Sequence, residues 1–117
     1  MKLKWLEKKP AVPCGVVWGV PWKQGELDRS HINHIALFSG SGKIIHPQSW
    51  PTAFWPDGSV KWTGHAAGFD KADQQYHLNV TEKSTQPKAN DDLRIDETDD
   101  EIFISAVSLE CIIPKKG

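Results

Sequence analysis

The sequence has almost no net charge and no long apolar segment, and these two absences exclude whole classes of function. Its 14 lysines and arginines nearly balance 15 aspartates and glutamates, which leaves a net charge of −1. A chain with that balance has no global field to attract nucleic acid or an anionic membrane surface. No segment approaches the roughly 18 consecutive apolar residues that a membrane helix requires. We therefore predict that neither nucleic acid nor a membrane is a partner.

Cysteine is also scarce, since only Cys14 and Cys111 are present, near opposite ends of the chain. The start of the chain, residues 1–10, is basic but has no apolar segment behind it of the kind that a signal peptide carries. We therefore predict a cytoplasmic protein, with an exported parent protein as the alternative. In that compartment both cysteines are expected to be buried free thiols, and a disulfide between them is the second interpretation.

A helical hydrophobic period is missing from nearly the whole sequence. Short β-branched and aromatic runs alternate instead with turns rich in glycine, proline and aspartate, at spacings of about 8 to 15 residues. This pattern is typical of an all-β, or mostly β, barrel or sandwich of about eight short strands. The length of 117 residues fits one domain, 1–117. The only helical turn predicted lies near residues 25–33.

Two segments have the turn chemistry of β-hairpins. Residues 39–43 are polar and glycine-rich and separate two apolar runs. Residues 56–59 read Pro-Asp-Gly-Ser, in which proline presets φ, aspartate caps its own backbone and glycine supplies a positive φ. Strand alternation after the second turn would place Val60 and Trp62 on the same face, so Trp62 is predicted to lie in the core.

Tryptophan is unusually abundant, with six residues in the chain. An indole can present a flat surface on which the apolar face of a sugar ring stacks, or it can fill a small β-core. The core interpretation carries more weight for most of the six. Trp22 and Trp55 each lie beside a turn, so we predict that they are partly exposed. Together with Asp57 and Lys61 of the second hairpin, they are the candidate substrate-binding residues.

Other reactive residue types give no catalytic or metal site. His31 and His34 have a spacing that can chelate a metal, but structural zinc is normally marked by closely spaced cysteines. Cys14 has no adjacent base, and Ser59 lies in a turn without the strand-to-helix elbow of a hydrolase serine. We therefore predict no catalytic residue, no metal ligand and no cofactor.

The acidic residues between 91 and 101 are interpreted as a solvated hairpin tip. A calcium loop would require a central glycine and a terminal glutamate in register, and the tract has neither arrangement. Leu93, Ile95, Ile102 and Ile104 are expected to face inwards beneath the charged tip.

Residues 18–27, WGVPWKQGEL, and residues 47–62, PQSWPTAFWPDGSVKW, carry a family resemblance. Together they resemble the amino-terminal domain of the exo-rhamnogalacturonan lyase family, polysaccharide lyase family 26 with its YetA-like relatives. The second segment is long and specific, and the resemblance extends over nearly all of the chain. At Lys23 and Gln24 the chain departs from the family, which more often has a proline and a basic residue there.

The resemblance implies a RIFT-type β-barrel, incomplete at its carboxy-terminal end, in a fragment of a longer multidomain lyase. Family members cleave rhamnogalacturonan I, a pectin, by β-elimination, chiefly in an (α/α) toroidal domain that follows the barrel. The chain is then a non-catalytic accessory domain whose partners are that toroidal catalytic domain and a pectic oligosaccharide. The alternatives are a stand-alone carbohydrate-binding module that uses exposed tryptophans, and a purely structural interaction domain.

Overall fold

The computed structural model describes residues 1–84 and 93–116, and in these residues the chain forms ten short strands and one 3₁₀ turn. In chain order they are β1 (Lys2–Lys4), β2 (Cys14–Pro21), the 3₁₀ turn (Arg29–His34), β3 (Ile35–Ser39), β4 (Ile44–Ile45), β5 (Gln48–Phe54), β6 (Val60–Phe69), β7 (Gln75–Val80), β8 (Arg94–Glu97), β9 (Glu101–Ala106) and β10 (Leu109–Pro114). The mostly β fold is confirmed, with ten strands where about eight are predicted. Within the described ranges no helix is long and apolar enough to span a membrane.

The chain divides into two compact units, Met1–Gln86 and Pro87–Gly117. The sequence analysis treats residues 1–117 as one domain. The sequence of residues 83–92 is polar and is typical of a connector, and most of it lies outside the described residues. The two units are therefore described separately.

The first unit contains two antiparallel sheets. One has the strand order β1-β7-β3-β4 and the other has the order β2-β6-β5. Both predicted hairpins are present, β3 with β4 and β5 with β6. The 3₁₀ turn begins after Asp28, whose carboxylate accepts a hydrogen bond from the backbone N–H of Ser30 at 2.8 Å.

Both sheets contribute side chains to a single hydrophobic core. In β2, every second residue faces this core, so Val16, Trp18 and Val20 point inwards while the residues between them are exposed. The rest of the core comes mainly from β3, β6, β7 and the loop before the 3₁₀ turn: Leu27, Ile32, Ile35, Leu37, Val60, Phe69, Tyr76 and Leu78. Burial of these side chains is the main stabilising term for the unit.

Trp62 does not lie in this core, and the prediction that it shares a face with Val60 is wrong. Val60 is fully buried, whereas 42% of Trp62 is exposed. The cause is a bulge: Val60 pairs with Phe54 and Trp62 with Ala53, which leaves Lys61 as an extra residue in β6. One extra residue reverses the alternation of the strand, so the indole moves to the outer face of the sheet.

The second unit has one antiparallel sheet in its described residues, with the order β10-β9-β8. Residues 98–100, which belong to the predicted acidic hairpin tip, connect β8 to β9. The expectation that Leu93 and Ile95 face inwards is wrong, because they are 55% and 63% exposed. Cys111 is a free thiol, as predicted, but it is exposed, whereas Cys14 of the first unit is a half-buried free thiol. Three strands with no second layer among the described residues of this unit leave such side chains accessible.

Candidate functional site: the Trp55 hairpin

The turn between β5 and β6 is held by short local hydrogen bonds. The backbone N–H of Gly58 donates to the carbonyl of Trp55 at 2.9 Å, and the N–H of Trp55 donates to the carbonyl of Ser59 at 2.8 Å. Gly58 has a φ of +86°, the left-handed region that glycine adopts without steric cost. The Asp57 carboxylate accepts bonds from the hydroxyl and the backbone N–H of Ser59, and these bonds lower the pKa of Asp57. Asp57 is therefore an ionised part of the turn.

A second turn, residues 23–26, is joined to this hairpin. The backbone N–H of Gly25 donates to Oγ of Ser59 at 2.9 Å, and Glu26 closes its own turn by accepting from the N–H of Lys23 at 2.8 Å. The two turns belong to the two segments that carry the family resemblance, residues 18–27 and 47–62. The fold therefore brings both segments together into one exposed, hydrogen-bonded surface, and Lys23 and Gln24 lie within it.

Trp55 and Lys61 lie in contact at the base of the hairpin. The indole N–H of Trp55 donates to the carbonyl of Trp22 at 3.0 Å, which fixes the orientation of the ring. The Lys61 ammonium lies 4.6 Å from the centre of that ring, a cation–π arrangement. Both side chains are half-buried. Because Lys61 covers one face of the indole, a sugar could stack there only on the opposite face.

Trp22 is buried, which corrects the prediction that it is partly exposed. Only 7% of the residue is accessible, and it belongs to the hydrophobic core. Its backbone N–H donates to the carbonyl of Lys61 at 2.9 Å, which extends the pairing of β2 with β6 beyond the end of the strand. This continued pairing holds the ring in the core instead of at the turn. The structure thus brings Trp55, Asp57 and Lys61 together on the hairpin and places Trp22 beneath them.

A buried chain of hydrogen bonds runs from Trp22 across the inner face of the sheet. The indole N–H of Trp22 donates to Oγ1 of Thr63 at 2.8 Å, Thr63 Oγ1 lies 2.6 Å from Nε2 of His65, and His65 Nδ1 lies 2.8 Å from Oγ of Ser49. The Thr63 hydroxyl accepts from the indole, and among the described residues Nε2 of His65 is the acceptor that its own proton reaches. The Ser49 hydroxyl donates to the carbonyl of Pro47 at 3.5 Å, so it accepts from Nδ1 of His65. His65 is then neutral with its proton on Nδ1, which it donates to Ser49.

The surroundings of His65 oppose its protonation. The side chain is fully buried, and its ring stacks on that of Trp18 at 5.3 Å with an interplanar angle of 26°. Desolvation by burial lowers the pKa of His65 to about 4. A proton on Nε2 would also require Thr63 to accept two bonds and would leave its hydroxyl proton unused. The arrangement is therefore a satisfied neutral network that stabilises the core, not an acid–base pair for chemistry near neutral pH.

The sequence analysis did not identify this network. Thr63 and His65 are polar residues at alternate positions of β6, and that spacing is the signal that could have revealed an inward-facing polar pair. Ser49 comes from the neighbouring strand, and its approach to His65 follows from the pairing of β5 with β6.

A cavity of about 540 Å³ opens beside β1 and β2 in the first unit. Its walls are largely apolar and include Trp5, Trp18, Phe69 and Tyr76. The indole nitrogen of Trp18 is buried and has no hydrogen-bond partner within the described part of the chain. The volume is in the range of small-molecule sites. No pattern in the sequence pointed to this cavity, because its walls come from distant segments.

The two histidines with chelating spacing have other contacts. The rings of His31 and His34 meet edge to face at 5.0 Å, and Nδ1 of His34 lies 3.0 Å from the carbonyl of Thr81. The hydroxyl of Thr81 in turn donates to the carbonyl of His34 at 2.9 Å. This pair of bonds gives His34 a structural role, linking the end of the 3₁₀ turn to the end of β7.

Comparisons with known proteins agree with this description of the first unit. Residues 1–82 match the profile of the family described as the PcRGLX-like N-terminal RIFT barrel domain. The chain is also similar to the uncharacterized protein YetA of Bacillus subtilis (strain 168), with 40% identity over 116 residues. That alignment covers 99% of this chain but only 13% of the relative.

Proposed function

Because the chain belongs to the family of PcRGLX-like N-terminal RIFT barrel domains, we propose that it is the accessory domain of a longer lyase-like protein. The RIFT barrel expected from the sequence is thereby confirmed for residues 1–82. In the proposal, the longer protein cleaves rhamnogalacturonan I by β-elimination, and the (α/α) toroidal domain performs that chemistry. The small share of YetA that the chain spans is consistent with a domain that serves a larger protein.

The observation that carries this proposal is the joined surface of residues 23–26 and 55–59. Its hydrogen bonds fix the conformation before any partner arrives, so binding would cost little conformational entropy. Trp55 supplies an aromatic group and Lys61 a positive charge at the base of the hairpin. Rigid turns that carry aromatic side chains are effective contact elements. We assign this surface to contact with the catalytic domain, at the edge of its substrate cleft.

The second candidate function is binding of a pectic oligosaccharide by the isolated domain. Of the two tryptophans predicted for this role, only Trp55 is accessible, and the adjacent Lys61 ammonium would suit the carboxylate of an acidic sugar. The assignment of Trp55, Asp57 and Lys61 to sugar binding stays a prediction, as does the cytoplasmic location.

The test compares this chain with full-length YetA on rhamnogalacturonan I oligosaccharides. β-Elimination leaves an unsaturated uronate at the new chain end, which is followed by its ultraviolet absorbance and by mass spectrometry. We expect product from the full-length protein and none from this chain alone. Product from the isolated chain would refute the accessory role. Intact substrate with full-length YetA, under conditions where a known rhamnogalacturonan lyase cleaves it, would refute the lyase assignment.

A further inference from the structure

Strand β2 has a long edge that is neither paired nor protected. The strand spans eight residues, and within the described part of the chain it pairs only with β6. None of the eight is charged, and the single proline stands at the end of the strand. Proteins normally protect a free edge with charged residues, an internal proline, a very short strand or a covering segment, because its unpaired N–H and C=O groups readily pair with another chain. Since β2 has none of the first three devices, its edge requires a cover.

The apolar cavity of about 540 Å³ lies along this edge. Residues 16–19 of β2 all line it, although alternate residues of a strand point to opposite faces of the sheet. Val16 and Trp18 point into the core, whereas Val17 is 71% exposed. A cavity lined by inward and outward residues alike borders the backbone edge of the strand. The cavity therefore faces the unpaired N–H and C=O groups of β2.

The opposite wall of the cavity is formed by the start of the chain. Residues 3–8 line it from that side, and the first two of them belong to β1. Among the described residues β1 pairs only with β7, so its second edge is also free. Leu37, Phe69 and Tyr76 of the core form the floor. The cavity is thus an apolar gap between two unpaired strand edges, one from each sheet of the first unit.

The size of the gap matches one short strand. In a layered sheet each residue occupies about 3.3 Å along the strand, about 4.8 Å between strands and about 10 Å between layers, or roughly 160 Å³. A volume of about 540 Å³ therefore holds about three or four residues of extended chain. The part of β2 that lines the gap, residues 16–19, has the same length.

Two other occupants fit the gap less well. The edge strand of a second copy already has a neighbour on one side, so it can pair with β2 but not with β1 as well. A small apolar molecule could fill the volume, but it would leave the backbone groups of both edges without hydrogen-bond partners. An isolated extended segment has free N–H and C=O groups on both sides, so it can pair with both strands.

Two features of the walls specify the side chains of such a segment. The charged residues that line the gap are Lys4, Glu7 and Lys8, and two lysines with one glutamate leave a net charge of +1, which favours an acidic residue in the segment. The buried indole nitrogen of Trp18 has no hydrogen-bond partner among the described residues. A buried donor without an acceptor is unfavourable, and a hydroxyl on an inward side chain of the segment would remove that cost.

We propose that the gap between β1 and β2 is the insertion site for one extended segment of the longer protein, of about four residues, which pairs with both strands. The segment carries apolar or hydroxyl side chains toward the core and an acidic residue beside Lys4 and Lys8. Once inserted, it joins the two sheets of the first unit along this side. The inference rests on the proposal that the chain is a domain of a longer protein, since only 13% of YetA lies in the aligned region.

The first test is a titration of the ¹⁵N-labelled chain with the end-capped hexapeptide EVQTQV, followed by NMR with deuterium exchange. Alternate amides of β2 donate to β6 and exchange slowly, whereas those between them face the gap and exchange fast. We expect the peptide at saturation to slow the fast set about tenfold and to shift the Trp18 indole signal. Trp50 packs against Gly64 on the outer face of the same sheet, so its indole signal should not move.

Two altered peptides test the two kinds of contact. Methylation of both glutamine backbone nitrogens keeps every side chain but removes the donors along one edge, so it should weaken binding about tenfold or more. The peptide EVQVQV replaces threonine with a valine of the same shape and removes the acceptor for Trp18. It should bind about threefold more weakly and shift the Trp18 indole signal less.

A charge exchange tests the position of the acidic residue. The double variant Lys4→Glu, Lys8→Glu should weaken EVQTQV about three- to tenfold and strengthen KVQTQV, and both effects should fade at high salt. Lys2→Glu is the matched control, because Lys2 is an exposed lysine of the same strand that does not line the gap. It should leave both affinities unchanged. All variants are first checked for native thermal unfolding.

The source of the segment is tested in full-length YetA by hydrogen–deuterium exchange with mass spectrometry. The stretch aligned with Cys14–Pro21 should exchange about tenfold more slowly than β2 does in this chain alone. Equal exchange in the two proteins would overturn the assignment of the segment to the longer protein.

Three results would overturn strand insertion itself. If EVQTQV does not slow the β2 amides, or if the methylated peptide binds equally well, the gap does not accept a strand. If β2 becomes protected without peptide as the concentration of the chain rises, a second copy covers the edge instead. The lyase assay with full-length YetA is independent of these measurements, so failure of either proposal can be recognised separately.

Discussion

Protonation of His65 should destabilise the fold at mildly acidic pH. Its pKa is about 4 in the folded chain and about 6.5 in an unfolded one, so between these values the unfolded state binds more protons. Stability therefore falls as pH decreases through this window and is fully retained above it. The three carboxylates with lowered pKa, those of Asp28, Asp57 and Asp73, act in the same sense, but they lose their contribution only as pH falls below about 4, outside the window of His65.

The expected magnitude follows from the two pKa values. One proton changes the free energy of unfolding by about 1.4 kcal/mol per pH unit. Between pH 7 and pH 4.5, the His65 contribution amounts to a loss of roughly 2 to 3 kcal/mol. That is a large fraction of the total stability of a small domain. This loss of stability has its sign and size because the His65 side chain is fully buried. Its pKa is lowered by desolvation alone.

Urea unfolding followed by tryptophan fluorescence, at half-unit steps from pH 4.5 to pH 7.5, measures this loss. His65→Gln cannot titrate, so its stability should change with pH by roughly 2 kcal/mol less than that of the unaltered chain over the same range. His77→Gln is the matched control, because His77 is exposed on β7, and it should keep the full pH dependence. Equal pH profiles for the unaltered chain and His65→Gln would refute the assignment of a neutral buried imidazole.

Two further substitutions test the polar network and the hairpin turn. Thr63→Val leaves the buried indole N–H of Trp22 and Nε2 of His65 without their partner. Urea unfolding should therefore show a free energy of unfolding lower by about 2 kcal/mol. Thr52→Val, at an exposed position, should lower it little. Gly58→Ala places an L side chain at a φ of +86° and should lower the unfolding free energy by about 1 kcal/mol. Gly40→Ala, where a methyl meets open space, should have a smaller effect, and equal losses at the two glycines would contradict the turn geometry.

The features that could be predicted from the sequence are those encoded by neighbouring residues. The Pro-Asp-Gly-Ser turn specifies its own backbone geometry, and the structure has that turn with Gly58 at positive φ. The alternation of β7 is likewise local, and it indicates that Tyr76 and Leu78 share a face, which is the face that reaches the core. For the same reason, the mostly β character of the chain was evident before any pairing of strands was known.

The features that could not be predicted depend on register and on bulges. Strict alternation from Val60 places Trp62 in the core, and only the extra residue at Lys61 reverses it. Trp50 contacts Gly64 because β5 and β6 pair at that position. The residues next to either one in the sequence do not predict this pairing. The burial of Trp22 depends on Thr63, a residue 41 positions away that accepts its indole proton. Short-range patterns therefore identified the hairpin but not which tryptophans it exposes.

The contact between Trp50 and Gly64 also sets a rule for how the two positions can change over evolution. Any side chain at 64 collides with the indole, whereas a small residue at 50 removes the obstacle. Alanine at 64 should therefore be harmful beside tryptophan at 50 and nearly harmless beside alanine, a case of strong epistasis between two residues on neighbouring strands. A lineage that loses the ring first can accept many residues at 64, and once it has done so the ring cannot return without a compensatory reversion to glycine.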